Sequence, residues 1–197
     1  MTNRVLLITI LIIGISTVTM SLLESFLPLW LIGSIHPEKW QLGVVFIPDS
    51  VGYLIGTKLF SLFTLARHHR QIILTLALLS VSASAYLVPL IPNIIWLSIP
   101  HFGIGLGIGT IDSVLFPLLA ELVDSELAAQ YGYVYAAAQT ASSCAYAFGP
   151  LLGGALLKNQ WLSFRSLMHS IAFCNVILAI LSIKIRQMFS NIREVSQ

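Results

Sequence analysis

The chain has 197 residues, of which 57% are hydrophobic and only 9% are charged, and its formal net charge is +2. Soluble domains carry roughly 25% charged residues, so this composition excludes an ordinary soluble protein and indicates an integral membrane protein. The basic residues are scattered rather than clustered, which gives no indication of a nucleic-acid-binding surface.

Apolar runs separated by charged or Pro/Asn-rich joints predict six transmembrane helices. We therefore expect an all-α membrane protein in which residues 1–197 form a single six-helix domain. The short joints predict that consecutive helices are antiparallel neighbours. The joints on the side of both termini hold more Lys and Arg than the other side, which predicts cytoplasmic termini. The expected spans are 5–33, 40–64, 71–91, 94–122, 129–157 and 163–187.

The first predicted span carries Glu24, four residues before Pro28. Proline lacks the N–H that would bond the carbonyl one turn back, so we expect the helix to be interrupted beside this carboxyl group. An acid inside a transmembrane segment is costly and usually faces a water-lined cavity. Glu24 is therefore a candidate functional residue.

The second predicted span contains Asp49 and Lys58. At about 100° per residue the two lie on opposite faces of a helix and cannot pair with each other. We place Asp49 in the outer part of the span, where snorkelling or interfacial water satisfies it, and interpret it as structural. Tyr53 lies one turn from Asp49 and either lines a cavity or packs against another helix.

The following joint, 67–70, has two adjacent histidines. Two such ligands make a poor zinc site, so we interpret the joint as a cytoplasmic anchor.

The fourth predicted span carries Asp112, five residues before Pro117, so that an acid again lies beside a predicted helix break. If the six spans form two inverted three-helix repeats, Glu24 and Asp112 lie in corresponding first helices. Matched broken helices of this kind indicate a transport site near the membrane midplane.

Four alternate glycines precede Asp112 and form two interleaved small-xxx-small pairs, which predict close approach of other helices. They do not form the GxGxxG dinucleotide-binding pattern, and no strand precedes them. These glycines are Gly103, Gly105, Gly107 and Gly109.

The fifth predicted span carries a polar stripe at spacings of three and four residues, which is typical of a helix face lining a cavity. The sixth is almost entirely apolar and is interpreted as a supporting helix. The chain contains neither GxSxG nor HExxH and no clear nucleophile–base pair, so we expect no enzyme activity, no cofactor and no metal site. The stripe consists of Gln139, Ser142, Ser143 and Tyr146.

Five segments together resemble the vesicular amine transporters of the major facilitator superfamily. The likeness covers nearly the whole chain but corresponds only to the carboxy-terminal six-helix half of that twelve-helix fold. WQLG and YLIGT are more similar to the monoamine branch than to the acetylcholine branch. The segments are SLLESFLPLW, KWQLGVVFIPDSVGYLIGT, GIGTIDSVLFP, ELVD and YGYVYAAAQTASSCAYAFGPLLGG.

This resemblance implies proton-coupled antiport of organic amines, such as monoamines, into acidic intracellular vesicles. It implies that Glu24 meets the substrate amine and that Asp112 handles substrate and proton. Aromatic faces would add cation–π attraction of about 0.5–2 kcal/mol. The aromatic residues that correspond to cavity or gate positions are Trp30, Phe46, Tyr53 and Tyr146.

The chain departs from the family pattern at three places. Gln139 stands where the family carries another acid, Thr17 stands where the monoamine branch has asparagine, and the loop 65–70 lacks most of the glycine-rich pattern. Asp124 fits the family's cytoplasmic LVD corner and is interpreted as structural.

The expected partners are a protonated amine, protons, the lipid bilayer, and a missing amino-terminal half or another membrane protein. Met1 lies a few residues before the first span, which suits a truncated gene model or a split product equally. Two alternatives remain open. One is another cation or drug exporter of the same superfamily; the other is a non-transporting half-size membrane protein that regulates a full-length transporter.

Overall fold

A computed structural model describes the backbone of residues 2–63, 70–126, 131–159 and 161–195, and every regular element in these ranges is helical. This confirms the all-α class. The joint with two histidines lies outside the described residues. The elements are α1 (Thr2–Ser34), α2 (Gln41–Val44), α3 (Ile47–Phe63), α4 (Arg70–Leu87), a 3₁₀ turn (Val88–Leu90), α5 (Ile94–Glu126), α6 (Tyr131–Lys158) and α7 (Phe164–Val195).

Four helices of the described chain are long and apolar enough to cross a membrane by length and composition. They correspond to the first, third, fourth and sixth predicted spans. The polar stripe lowers the hydropathy of α6, and α3 has 17 residues, fewer than the roughly 20 that a perpendicular crossing needs. The four segments are Val5–Ser34, Arg70–Leu90, Ile94–Asp124 and Phe164–Ile183.

The predicted continuous helix over 40–64 is wrong, because the structure divides it into α2 and α3. Pro48 has no N–H to bond the carbonyl of Val44, the residue at which α2 ends. The predicted interruptions beside Glu24 and Asp112 are also wrong. Helices α1 and α5 each continue for 33 residues through Pro28 and Pro117, since the flanking helical bonds hold each helix together.

Helices that are close in space are mostly distant in the chain. The most extensive packing joins α3 with α5 and α4 with α7, followed by α4 with α5 and α1 with α6, and of these four pairs only α4 and α5 are consecutive. Asp49 lies against Gly105 and Tyr53 against Gly109, so α3 and α5 run parallel. The expectation that consecutive helices are neighbours is therefore wrong for most of the bundle.

The helix pairs follow a two-fold relation between two three-helix units. Exchanging α1, α3 and α4 with α5, α6 and α7 maps the α1–α6 pair onto α5–α3, and the α4–α5 pair onto α7–α1. The α4–α7 and α1–α5 pairs map onto themselves. All of these pairs are in contact, as two inverted repeats require, and Glu24 and Asp112 lie on corresponding helices.

The alternate glycines of α5 contact two different helices, which confirms the prediction of close approach. Gly105 and Gly109 face α3, whereas Gly103 and Gly107 face α4. A methyl group at Gly107 would lie 2.5 Å from Val81 Cγ2. On the facing helix, Gly52 and Gly56 form a further small-xxx-small pair, which the sequence analysis did not identify.

The apolar core lies where α1, α4, α5 and α7 meet. Fully buried leucines and isoleucines from these helices fill it, which leaves the opposite sides of α1, α3 and α6 available for polar groups. At the ends of α4 and α5, Arg70 Nη1 donates to Glu121 Oε1 at 2.7 Å. Core members with no exposed surface include Leu23, Leu27, Leu78, Ile111, Leu115 and Met168.

Candidate functional site

The structure joins Asp112 of α5 to Tyr53 of α3. The Tyr53 hydroxyl donates a hydrogen bond of 3.0 Å to Asp112 Oδ2. The two side chains meet because Gly109, three residues before Asp112, lets the backbone of Tyr53 come into direct contact with α5. Asp112 is half-buried, and Tyr53 is 38% exposed, so this carboxyl–phenol pair lies at the edge of the bundle.

Glu24 lies on α1 and is exposed, and its carboxyl group interacts electrostatically with Asp49 of α3 and Tyr146 of α6. Tyr146 is 47% exposed and interacts electrostatically with Glu24, Asp49 and Asp112. Tyr146 is thus within electrostatic range of all three carboxyl groups and of Tyr53, and it links groups from four helices. We call this set, Glu24, Asp49, Tyr53, Asp112 and Tyr146, the carboxyl cluster.

Asp49 is the member of the carboxyl cluster that is more deeply buried than the sequence analysis expected. Only 3% of the residue is exposed, so its carboxyl group has little access to water. Its Oδ1 atom has no hydrogen-bond partner among the described residues. The pattern that could have revealed it is a spacing of four on both helices, since Asp49 and Tyr53 face Gly105 and Gly109 in register.

The other two predicted aromatic residues pack against protein rings. Trp30 stacks on Phe164 of α7, with ring centroids 5.2 Å apart and an interplanar angle of 24°. Phe46 lies edge-on to His101, with centroids 6.1 Å apart. Their described ring contacts are therefore with α7 and α5, and their assignment to the site stays a prediction.

The polar stripe of α6 lies mainly on an uncovered face. Gln139, Ser143 and Tyr146 are exposed, and Ser142 is half-buried. Gln139 and Ser143 line an open groove of about 490 Å³. Glu24 and the phenol ring of Tyr53 are also uncovered, so the carboxyl cluster borders a surface that is open in this chain.

This arrangement is suited to binding an organic cation. Carboxylates supply negative charge, and exposed phenol rings supply π faces that attract ammonium groups. Among the described residues there is no group of three or more His, Cys, Asp or Glu that could hold a metal ion.

No family model matches the chain. Individual relatives do match. The chain is 39% identical over 159 residues to the synaptic vesicular amine transporter of Bos taurus, a match covering 81% of this chain and 30% of that protein. The same figures describe the match to the chromaffin granule amine transporter of Homo sapiens. Identity to the probable vesicular acetylcholine transporter-A of Danio rerio is 30% over 163 residues, covering 82% of this chain and 31% of that protein.

Higher identity to the two amine transporters than to the acetylcholine transporter agrees with the predicted branch. The chain spans about a third of the length of these relatives.

Proposed function

The chain belongs to the vesicular amine transporter family, and on this basis we propose that it acts as the carboxy-terminal half of a proton-coupled antiporter of organic amines such as monoamines. The amine would enter vesicles in exchange for protons. The similarity to amine transporters supports an amine as substrate, and the apolar helices support a multi-pass position in the membrane.

The observation that carries the proposal is the carboxyl cluster on the open side of the bundle. Asp112 already accepts a hydrogen bond from Tyr53, which orients the carboxyl group without neutralising it. Glu24 is uncovered and can meet an ammonium group, while Tyr146 presents a half-exposed ring between the carboxyl groups. A carboxyl group binds either a proton or an ammonium ion, so both ligands can compete for one position, as antiport requires.

The open surface also supports the presence of a second six-helix unit on this side of the carboxyl cluster. A chain with exposed Glu24, Tyr53 and Tyr146 gains a closed cavity only when another six-helix unit covers them. We propose that an amino-terminal half is this second unit. We also propose that both termini of this chain face the cytoplasm, because the distribution of Lys and Arg favours that orientation. The vesicular relatives support an intracellular vesicle membrane as the location of the assembly.

The direct test is uptake of radiolabelled dopamine into proteoliposomes with an imposed proton gradient. The protein would be this chain assembled with the amino-terminal half of the bovine relative. Asp112→Asn keeps the size of the side chain but cannot bind and release a proton, so we expect it to abolish proton-driven accumulation at unchanged expression. A matched control is Asp124→Asn, which changes an exposed aspartate at the end of the same helix.

Wild-type accumulation in the Asp112→Asn variant would make Asp112 structural and refute its proton role. Failure of the wild-type assembly to accumulate dopamine under a gradient would refute the proposed substrate class. Co-purification with a full-length transporter combined with silence in uptake would instead favour the regulatory alternative.

A further inference from the structure

Asp49 is a buried carboxyl group in the seam between α3 and α5. The residue is 3% exposed, and its Oδ1 has no hydrogen-bond partner in the part of the chain that the structure describes. Both its backbone oxygen and its carboxyl group lie over Gly105, where a methyl group would come within 2.7 Å of Oδ1. Only a residue without a side chain leaves room for the carboxyl group at this point.

The groups that face Asp49 supply no cation. Glu24 of α1 is an acid, and Tyr146 of α6 is neutral at physiological pH. On α5, Asp112 is an acid and already accepts the hydroxyl of Tyr53. Lys58 lies on the same helix as Asp49 but on the opposite face and roughly 13 Å further along it.

His101 of α5 lies one turn before Gly105 and is fully buried. Its Nδ1 is 3.0 Å from the carbonyl oxygen of Leu97, and its Nε2 has no hydrogen-bond partner within the described ranges. A charged imidazole would carry a proton on both nitrogens and would need an acceptor for each, so His101 is neutral with the proton on Nδ1. It therefore offers no positive charge to Asp49.

An ionised carboxylate without water, cation or sufficient hydrogen-bond donors is strongly destabilised, and such a group takes up a proton instead. We propose that Asp49 holds a proton in the amine-free protein and releases it when a cationic amine binds beside Glu24. This inference rests on the proposed function. The negative charge of Glu24 opposes ionisation of Asp49, and an ammonium ion beside Glu24 removes that opposition.

In this step the O–H bond of the Asp49 carboxyl group breaks. The electron pair stays on the carboxylate oxygen, and the proton passes to water in the open site. Because the coupling is reciprocal, protonation of Asp49 weakens amine binding by the same factor by which the amine favours deprotonation. Asp49 is thereby a proton-exchange residue additional to Glu24 and Asp112.

The chain contains three aspartates, Asp49, Asp112 and Asp124, which makes carboxyl-carbon NMR a direct test. The full chain labelled with ¹³C at the aspartate carboxyl carbon would be measured in lipid at neutral pH. We expect one signal at the position of a protonated carboxyl group, and we expect that signal to vanish in both Asp49→Asn and Asp49→Glu. The second variant keeps an acid in place should the first fail to fold. Asp124→Asn is the matched control and should remove a carboxylate signal.

The inference is overturned if the signal that both Asp49 variants remove lies at the carboxylate position in the wild type. The amine-linked step is tested by adding dopamine to the labelled chain assembled with an unlabelled amino-terminal half. We expect the Asp49 signal to move to the carboxylate position and a pH-indicator dye to report proton release, which Asp49→Asn diminishes.

Dopamine binding that leaves the Asp49 signal unchanged would overturn the coupling while the proposed function stands. Absence of dopamine binding in the wild type would refute the proposed function and the amine-linked step together. The protonation of Asp49 would still be decided by the first measurement.

Discussion

The seam between α3 and α5 allows one substitution to be worked through quantitatively. In Gly56→Ala, the new methyl group would lie 2.5 Å from the carbonyl oxygen of Leu106 and 3.0 Å from the amide nitrogen of Thr110. An ordinary contact begins at 3.4 Å, so the two backbones must separate by about 0.9 Å. Neither neighbour can yield by rotating a side chain, because both atoms belong to the backbone of α5.

Overpacking of this kind costs about 1–3 kcal/mol. Alanine also favours a helix over glycine by about 1 kcal/mol, so a second glycine is needed as a reference. Gly14 in the interior of α1 is suitable, since a methyl group there would lie 3.7 Å from Ala141 Cβ, which is an ordinary contact. We therefore expect Gly56→Ala to be less stable than Gly14→Ala by about 1–3 kcal/mol, because the helix preference cancels between the two variants.

Thermal unfolding in detergent micelles measures this difference. For a chain of this size, 1 kcal/mol corresponds to roughly 2–4 °C in Tm, so Gly56→Ala should melt about 2–12 °C below Gly14→Ala. The Tyr53–Asp112 bond lies beside the seam and should weaken as the helices separate. Equal melting temperatures for the two variants would show that α3 and α5 do not pack backbone to backbone.

Three further predictions concern the carboxyl cluster and its supports. Tyr53→Phe removes the hydrogen bond to the Asp112 carboxyl group, and a hydrogen bond to a charged group is worth about 1.5–3 kcal/mol, so dopamine affinity should change by about tenfold or more at unchanged expression. Unchanged affinity in a binding assay would show that the hydroxyl does not orient Asp112. Asn175→Ala removes the 2.9 Å hydrogen bond from Asn175 Nδ2 to Thr19 Oγ1, which joins α7 to α1, so thermal melting should show a loss of about 0.5–2 kcal/mol in the free energy of unfolding. The control Thr17→Val changes a hydroxyl that bonds within α1, so its stability should be nearly unchanged. If native Asp49 holds a proton that the unfolded chain loses, the free energy of unfolding must fall as pH rises from about 5 to 8, by up to about 1.4 kcal/mol per pH unit. Asp49→Asn should flatten this slope, and identical slopes for the wild type and the variant would contradict a protonated Asp49.

Much of the architecture was predictable because membrane helices obey local rules. Length and apolar composition identify a span independently of the rest of the chain, and prolines or charged joints mark its ends. The acids Glu24 and Asp112 were conspicuous because a carboxyl group in such a run is rare. The glycines of α5 predicted close packing because their spacing places them on two faces of one helix.

The wrong predictions of helix breaks arose because the effect of a proline depends on the hydrogen bonds and helices around it. Pro28 and Pro117 were predicted to interrupt their helices, yet neighbouring bonds keep both helices continuous. Pro48, which received no such prediction, lies at the division of the second span. The ring contacts of Trp30 with Phe164 and of Phe46 with His101 also depend on packing between helices, and no pattern in the sequence indicated them.

The sequence by itself determined that the chain is a helical membrane protein, which family it belongs to, and which two acids lie beside prolines inside predicted spans. Tertiary structure alone decided which helices touch, and therefore that Asp49 is buried beside Gly105 and within electrostatic range of Glu24. The physical reason is that a transmembrane helix is apolar over most of its surface. Apart from a polar stripe such as that of α6, its sequence does not show which side meets lipid and which meets protein, so the neighbours of a polar residue depend on packing between distant helices.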